Sequence, residues 1–490
     1  MSTEEIKPKV LIVGAGIGGL LLGALLEKAS IPYEIFERTS TVKPLGSALM
    51  IGSNLLPLFE QLSIDKEFIA LGKPTMDCSI ARQKGPHDTE FLTNVSFRPH
   101  IEFSILSPST KKPHTHNSTG YHSYIVSRPM FYDLLLKQVP EHKIHFSKRV
   151  LSIVEKEEQV HIQTADNTIY EGDIVVGADG AYSAVRQRMY ETLKQEGKLP
   201  KSDQEELPFH CTCLVGQTEV VDLNQFPEIK EDMSPFFNTM SDDKPYTWVV
   251  FATRQSTIAW MVLHHLDKAS SKAAEEQRFR ESENSEWGPL AAQAMCDETR
   301  NFPLPIGTKK FTMGDIYDWT PKEQISKVML EEKVFQTWYS GRRVLLGDAC
   351  HKLDPSGAHG AVTSMHDAIA LANLIYALPE NTTKAIEKSF AEYQKERIPH
   401  VMESFKNSQN LALFMDRGFA GSLAMWVMQK MPPWLWALAL KKMIVSRPVL
   451  GYLKEIPNRG TVPAHRSPSA EKARTVFLQR VAARTASAAL

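Results

Sequence analysis

Val10-Leu11-Ile12-Val13-Gly14-Ala15-Gly16-Ile17-Gly18-Gly19 is the stretch that decides the fold. Four apolar residues running into glycines read as a buried parallel strand. Leu20 to Lys28 continues as a helix, and Tyr33-Glu34-Ile35-Phe36-Glu37 as the next strand. In such a βαβ unit Gly14 permits the tight turn, Gly16 lets the backbone approach a pyrophosphate, and Gly19 lets helix and strand pack closely. The helix N-terminus then offers amide donors to the anion. Glu37 ends the second strand, where a carboxylate accepts hydrogen bonds from ribose hydroxyls. The glycine pattern by itself is weak, and a glycine-rich turn beside a surface glutamate is the bland alternative. With strand, helix and acid in place, dinucleotide binding is the expectation.

Two later segments share this grammar. Gly172-Asp173-Ile174-Val175-Val176-Gly177-Ala178-Asp179-Gly180 leads on to Ser183 and Arg186. Gly347-Asp348-Ala349-Cys350-His351 follows the apolar Val344-Leu345-Leu346. Beyond it come Pro355, Gly357, His359, Gly360, Ala361 and Val362, then a helix containing Asp367. In each, a buried strand ends in a Gly/Asp turn, which is where open α/β sheets bind ligands. Taken singly, either could be only a strand–turn–helix corner.

Together the three segments resemble the GxGxxG, DG and GD motifs of the FAD-dependent aromatic hydroxylase family, the para-hydroxybenzoate hydroxylase-like group A flavoprotein monooxygenases. The likeness runs from about residue 9 to residue 400 and is nearest in look to fungal secondary-metabolism monooxygenases acting on lipophilic substrates. It implies a Rossmann-like, glutathione-reductase-like FAD-binding domain, with FAD as cofactor and NAD(P)H and O2 as co-substrates. Oxygen would reach a small organic substrate through a flavin hydroperoxide. It also implies roles: Gly14, Gly16 and Gly19 on the FAD pyrophosphate, Glu37 on the adenosine ribose, and Arg128 near the ribityl–phosphate region. Asp179 would serve both FAD and NAD(P)H, and Asp348 the ribityl chain or ribose. Pro355 and Gly360-Ala361-Val362 would line the isoalloxazine, with Gly46 to Met50 approaching from the other side. The chain departs from the pattern at Val362, where many members carry Asn, and at Cys350, which replaces a more usual Ala and is read as core. His359 is read as a solvated loop histidine, with a proton-relay role as the alternative. His351 is read as structural. No ionisable catalytic side chain is required, so none is named, and no metal is expected.

Outside the motifs, residues from about Thr75 to Ser123 read as irregular, and Phe209 to Leu266 as alternating strands of a mostly antiparallel sheet. The expected fold is therefore α/β, with an inserted sheet domain for substrate and a helical C-terminal tail. Residues 1–80, 124–206 and 335–410 would form the discontinuous FAD-binding domain, and 81–123 and 207–334 the sheet domain. An apolar helical region would span 411–456, followed by a disordered tail at 457–490. Tyr246, Trp248, Phe251 and Trp260 could line the substrate pocket, although strand aromatics are more often core.

The chain has 490 residues, 42% hydrophobic and 23% charged, enough for a large core in two joined domains. A net charge of -1 argues against nucleic acid as partner. The polar, acidic start lacks the order of a signal peptide, and five scattered cysteines without a CxxC pair suit a reducing cytoplasm. Cys211 and Cys213 are expected on opposite faces of their strand. The tryptophan-rich stretch 419–442, broken by Pro432-Pro433, suggests possible peripheral membrane contact rather than a span. The rivals are a flavin oxidase, dehydrogenase or halogenase on the same fold, and a non-catalytic FAD-binding carrier of a lipophile. A halogenase should show a WxWxIP signature, which is absent.

Overall fold

The computed structural model describes residues 7–41, 47–75, 77–85, 88–96, 119–241, 243–266, 286–353, 359–414 and 445–488, with isolated positions between 415 and 444. A six-stranded sheet carries the nucleotide domain. Its order is Tyr339–Ser340, Arg343–Leu345, Ile174–Gly177, Val10–Val13, Tyr33–Phe36 and Ile144–His145. The five strands from Arg343–Leu345 to Ile144–His145 run parallel, and Tyr339–Ser340 is antiparallel. Every residue of Val10–Val13 and Ile174–Gly177 is buried, because the parallel sheet is enclosed by helices and by a three-stranded sheet, Val150–Lys156, Gln159–Thr164 and Ile169–Gly172, whose Val160 and Ile162 join its core.

The helix Ile17–Lys28 is apolar on nearly all sides and buried from Gly18 to Leu26. A helix of that kind must be enclosed. The sheet lies on one side, and the helix Gly360–Tyr376 packs along it on another. This helix, expected from the sequence around Asp367, begins at Gly360.

The inserted sheet has eight strands, ordered Glu286–Trp287, Ser326–Glu331, Phe209–Gln217, Ile258–His265, Tyr246–Ala252, Phe236–Met240, Asp77–Lys84 and Asp88–Ser96. Its pairs are antiparallel except Phe236–Met240 with Asp77–Lys84. The last two strands correct the irregular reading of Thr75 to Ser123, and the first of them runs through the boundary expected at 80. Polar and charged residues such as Asp77, Arg82, Lys84 and Glu90 disguise the alternation, as they commonly do at a sheet edge. Between the two large sheets lies a small one, Ala48–Ile51, Ser123–Ser127 and Lys73–Thr75.

Side chains alternate across a strand, and here the alternation separates two apolar clusters. Tyr246, Trp248, Val250, Trp260 and Val262 face outward, beneath Met295, Ile316 and Tyr317 of the helices Pro289–Thr299 and Met313–Asp318. Cys211, Cys213, Val249, Phe251, Ala259 and Leu263 face inward, with Ile125 of the small sheet. Three of the four aromatics considered for the pocket are therefore core on the far face, and Phe251 alone turns inward. Cys211 and Cys213 share a face, because residues two apart on a strand point the same way. The expectation of opposite faces had miscounted the period. All five cysteines are buried, and no disulfide joins them.

The tail expected to be disordered instead forms the helix Pro468–Ala488. Its Ala470 and Ala473 are buried against the helix Gly360–Tyr376, and Ser469 and Lys472 bond Glu396 and Glu392. An Ala/Arg-rich composition reads as low complexity, yet alanine is the strongest helix former and lets helices approach closely. Upstream, Tyr452 Oη donates to Leu25 O at 2.9 Å and Asn373 brackets Val449 O and Gly451 N. The stretch 419–442 lies almost wholly outside the described residues. Among these, no helix is long and apolar enough to cross a membrane.

Candidate active site

The strands Val10–Val13, Ile174–Gly177 and Arg343–Leu345 are parallel neighbours, so the turns that follow them emerge side by side at their carboxyl ends. Backbone bonds knit the turns: Gly14 N donates to Phe36 O (2.8 Å), Ala178 N to Val13 O (2.8 Å) and Leu346 N to Gly177 O (3.0 Å). Gly14 has φ +107°, and a Cβ there would lie 2.4 Å from Ala178 O; one on Gly19 would lie 2.0 Å from Gly14 O. The three segments are thus packed to the limit of backbone contact.

Glu37 follows the strand Tyr33–Phe36. Its Oε2 accepts from Ala15 N at 3.0 Å and its Oε1 from Thr39 N at 3.0 Å, which fixes the carboxylate beside the glycine turn. Asp179 Oδ2 accepts from Ala184 N at 2.7 Å, at the start of the helix Ala184–Gln195. Burial pushes its pKa up, against hydrogen bonds from Ser183, Val185 and Ala184 that lower it. Met50 lies on the strand Ala48–Ile51, opposite Ile125 of Ser123–Ser127, and Arg128 opens the helix Arg128–Leu136 that directly follows the latter strand. Met50 joins the inward cluster of the inserted sheet. Arg128 is exposed, yet protein surrounds it closely enough that burial lowers its pKa while the charge of Asp348 raises it. That combination describes a cleft with Arg128 and Asp348 within electrostatic reach of each other.

Gly360, Ala361 and Val362 open the helix Gly360–Tyr376, with His359 just before it. His359 is half-buried, and burial lowers its pKa, so it is not the solvated loop histidine expected. Pro355, Gly357 and Gly46 lie outside the described residues.

Asp367, Arg186 and Arg397 carried no assigned role in the sequence reading. Asp367, fully buried, accepts from Gly347 N (3.0 Å), His351 Nε2 (2.5 Å) and Arg397 Nε (2.8 Å). Burial raises its pKa, but the charges of His351 and Arg397 outweigh it and bring the value down to about 2. His351 and Cys350 are buried beside it. Cys350, His351 and Asp367 are close enough to suggest a metal site, but the bonds of Asp367 to His351 and Arg397 already account for its charge. Arg186, also buried, donates to Ala349 O at 2.7 Å and to Ala181 O, tying the second turn to the third. The spacing from Gly347 to Asp367 could have suggested a bond; Arg397 and Arg186 carry no such signal.

A flavin dinucleotide fits these residues on three observations. A Cβ on Gly16 or Gly360 would meet nothing within 4 Å, so both backbones face open space. Asp179 Oδ1 is buried without a hydrogen-bond partner in the protein. Arg128 supplies a cation within a cleft.

The fold and site define a flavoprotein oxidoreductase. A family model described as the FAD binding domain matches residues 7–254 and 315–408, and the chain belongs to this family. Among its relatives is the FAD-dependent monooxygenase ptmM of Penicillium ochrochloron, 28% identical over 417 residues, covering 83% of this chain and 89% of that one. Another is atmM of Aspergillus flavus, also an FAD-dependent monooxygenase, 27% identical over 465 residues and covering 92% and 88%. The fold is shared with Klebsiella pneumoniae HpxO in complex with FAD and uric acid, with TM-score 0.65, 15% identity and coverage of 89% and 96%. CtdE in complex with FAD and its substrate is similar at TM-score 0.62, 15% identity and coverage of 89% and 98%. The chain thus carries the FAD-binding domain of this family and is similar along most of its length to fungal FAD-dependent monooxygenases.

Proposed function

We propose that the chain is a single-component monooxygenase that consumes NAD(P)H and O2 to hydroxylate or epoxidise a small, neutral, lipophilic or aromatic substrate. The observation that carries this reading is the inward face of the inserted sheet. Ile125, Cys211, Cys213, Val249, Phe251, Ala259 and Leu263 form an apolar cluster, with Met50, Phe236 and Met261 at its margin. A predominantly apolar wall among the described residues favours a neutral, lipophilic ligand, which it desolvates at little cost.

Bound FAD supplies the two-electron reduction by NAD(P)H and the activation of O2. The protein's share is to bind, orient and keep water out. Gly14, Gly16 and Gly19 would bring backbone amides to the pyrophosphate, and Glu37 would accept from the adenosine ribose. Arg128 would offset phosphate charge, Asp348 and Asp179 would hold the sugar and ribityl hydroxyls, and Gly360, Ala361 and Val362 would present main chain to the ring. Pro355 is assigned to the same wall, and Met50 would close the site from the sheet side.

The test is anaerobic bleaching of the protein-bound flavin by NADPH, with and without a panel of lipophilic phenols and polyprenyl compounds. Bleaching that one compound accelerates supports a substrate-gated monooxygenase. Absence of bleaching with every compound, and with NADH as well, overturns the single-component reading.

A further inference from the structure

The strand Ser326–Glu331 ends where the inserted sheet meets the nucleotide domain, and its last residue is a carboxyl only 1% exposed. Tyr182 Oη, from the turn after Gly180, donates to Glu331 Oε1. Just beyond, Lys333–Val334 pairs antiparallel with His351–Lys352, placing Lys333 opposite Lys352. This ladder brings the Gly347–Ala349 turn alongside the end of the strand. Lys352 Nζ lies 3.4 Å from Asp348 Oδ2. The long helix Thr383–Phe414 contributes the uncharged Gln409, which bonds Glu332 at 3.3 Å. Tyr182 thus bonds Glu331, and the charges of Lys352 and Asp348 act on it. Burial raises its pKa most, Lys352 lowers it and Asp348 raises it again, leaving it at about 7.

A carboxylate here has Lys352 as its cation, and Lys352 already serves Asp348. We propose that Glu331 is a positioning residue whose proton decides how Lys352 is divided between two carboxyls, and thereby how firmly the Asp348 turn holds FAD. With the proton on, Glu331 accepts from Tyr182 and Lys352 neutralises Asp348 undivided. With the proton released to solvent, a second negative charge stands near Asp348 and the anionic cofactor, and Lys352 is shared. FAD therefore binds more tightly to the protonated form. By linkage, bound FAD raises the affinity of Glu331 for its proton. The inference rests on the reading of Asp348 as an FAD contact.

The experiment is the FAD dissociation constant of the full chain, followed by flavin fluorescence from about pH 5.5 to about pH 9. The constant is expected to rise with pH in one step centred near 7, by about tenfold for each unit by which FAD shifts the group. Glu331→Gln should abolish the step and stay near the tight, low-pH value. Tyr182→Phe should move the step to higher pH, because it removes a donor that favours the carboxylate. A flat wild-type profile, or a step that survives in Glu331→Gln, overturns the proposal. If Glu331→Gln does not fold, Lys352→Gln carries the test: the step should move to higher pH, and an unmoved step overturns the proposal. Asp348→Asn at pH about 6 separates the two readings. Unchanged affinity there removes the role of Asp348 and the route proposed for Glu331 with it; lost affinity with a flat wild-type profile overturns the Glu331 proposal alone.

Discussion

Gly347 N donates to Asp367 Oδ2 at 3.0 Å, so the turn that presents Asp348 is fastened to a carboxylate buried in the following helix. The same carboxylate holds Arg397 of the next helix, and both side chains are almost wholly buried. One residue therefore sets the distance between a binding turn and two helices.

Replacing Asp367 by Asn should cost about 3–5 kcal/mol, because it leaves Arg397 buried without a counter-charge. The native carboxyl, held at about 2 and below its ordinary value of 3.8, adds stability that is present above about pH 4. That stability is lost as pH falls through about 2. Calorimetry of wild type and Asp367→Asn down to acid pH checks both points. The variant should have the lower Tm at neutrality and a flatter acid limb.

Glu331 has the opposite sign. Its native value of about 7 lies above the ordinary 4.5. Its contribution is therefore present below about pH 4.5 and is lost between there and about 7, on the order of 3 kcal/mol. Chemical unfolding of the FAD-free protein from pH 5 to 8 should show that decline, and Glu331→Gln should reduce it.

Two glycines of the first turn should behave differently. Gly14→Ala meets both a positive φ and the carbonyl of Ala178, and should destabilise the protein itself by about 1–3 kcal/mol. Gly16→Val projects into open space, so the circular-dichroism spectrum and Tm of the FAD-free protein should change little. FAD affinity should nevertheless fall by about tenfold or more, since the branched side chain occupies the approach of the pyrophosphate. Flavin retention through gel filtration reads the difference.

The two faces of the inserted sheet should separate binding from stability. Trp260→Phe, on the outward face, loses the bond from Nε1 to Thr320 Oγ1 (3.0 Å) and core volume, and should cost about 1–3 kcal/mol. Its KM should stay close to wild type. Phe251→Leu, on the inward face beside Phe236, should alter KM for the lipophilic substrate by more than it alters Tm. Steady-state kinetics with melting curves distinguishes them.

Deleting residues 468–490 tests the tail. It would uncover the helix face now covered by Ala470 and Ala473 and remove the pair between Lys472 and Glu392 (2.7 Å). A loss on the order of 2 kcal/mol from apolar area is expected, with increased binding of a hydrophobic dye.

The nucleotide domain was largely legible in the sequence because its signals are local. Gly14, Glu37, Asp179 and Asp348 each stand at the end of a short apolar run, and a parallel sheet aligns such ends. Asp77–Lys84 and Asp88–Ser96 were not legible, since Asp77, Arg82, Lys84 and Glu90 interrupt the apolar alternation at the sheet edge and in the strand beside it. Which sheet aromatics would be core and which would face inward was not legible either, for another reason. Trp248 and Trp260 alternate correctly, but alternation does not say which face will be covered by helices far along the chain, and only the contacts with Met295 and Tyr317 decide it. Arg186, Arg397 and Glu331 acquire their roles from partners distant in sequence, and no local pattern marks them.

The middle strand Val10–Val13 is flanked by Ile174–Gly177, and that strand by Arg343–Leu345. A chain leaves the ribosome from its N-terminus, so the first glycine turn is made long before the last strand that frames it. The inserted sheet can assemble in that interval, while the apolar helix Ile17–Lys28 still lacks both Gly360–Tyr376 and the segment around Tyr452. Cofactor loading is therefore an event that follows synthesis, and the nascent chain exposes an apolar surface that chaperones would be expected to guard until the C-terminal helices arrive.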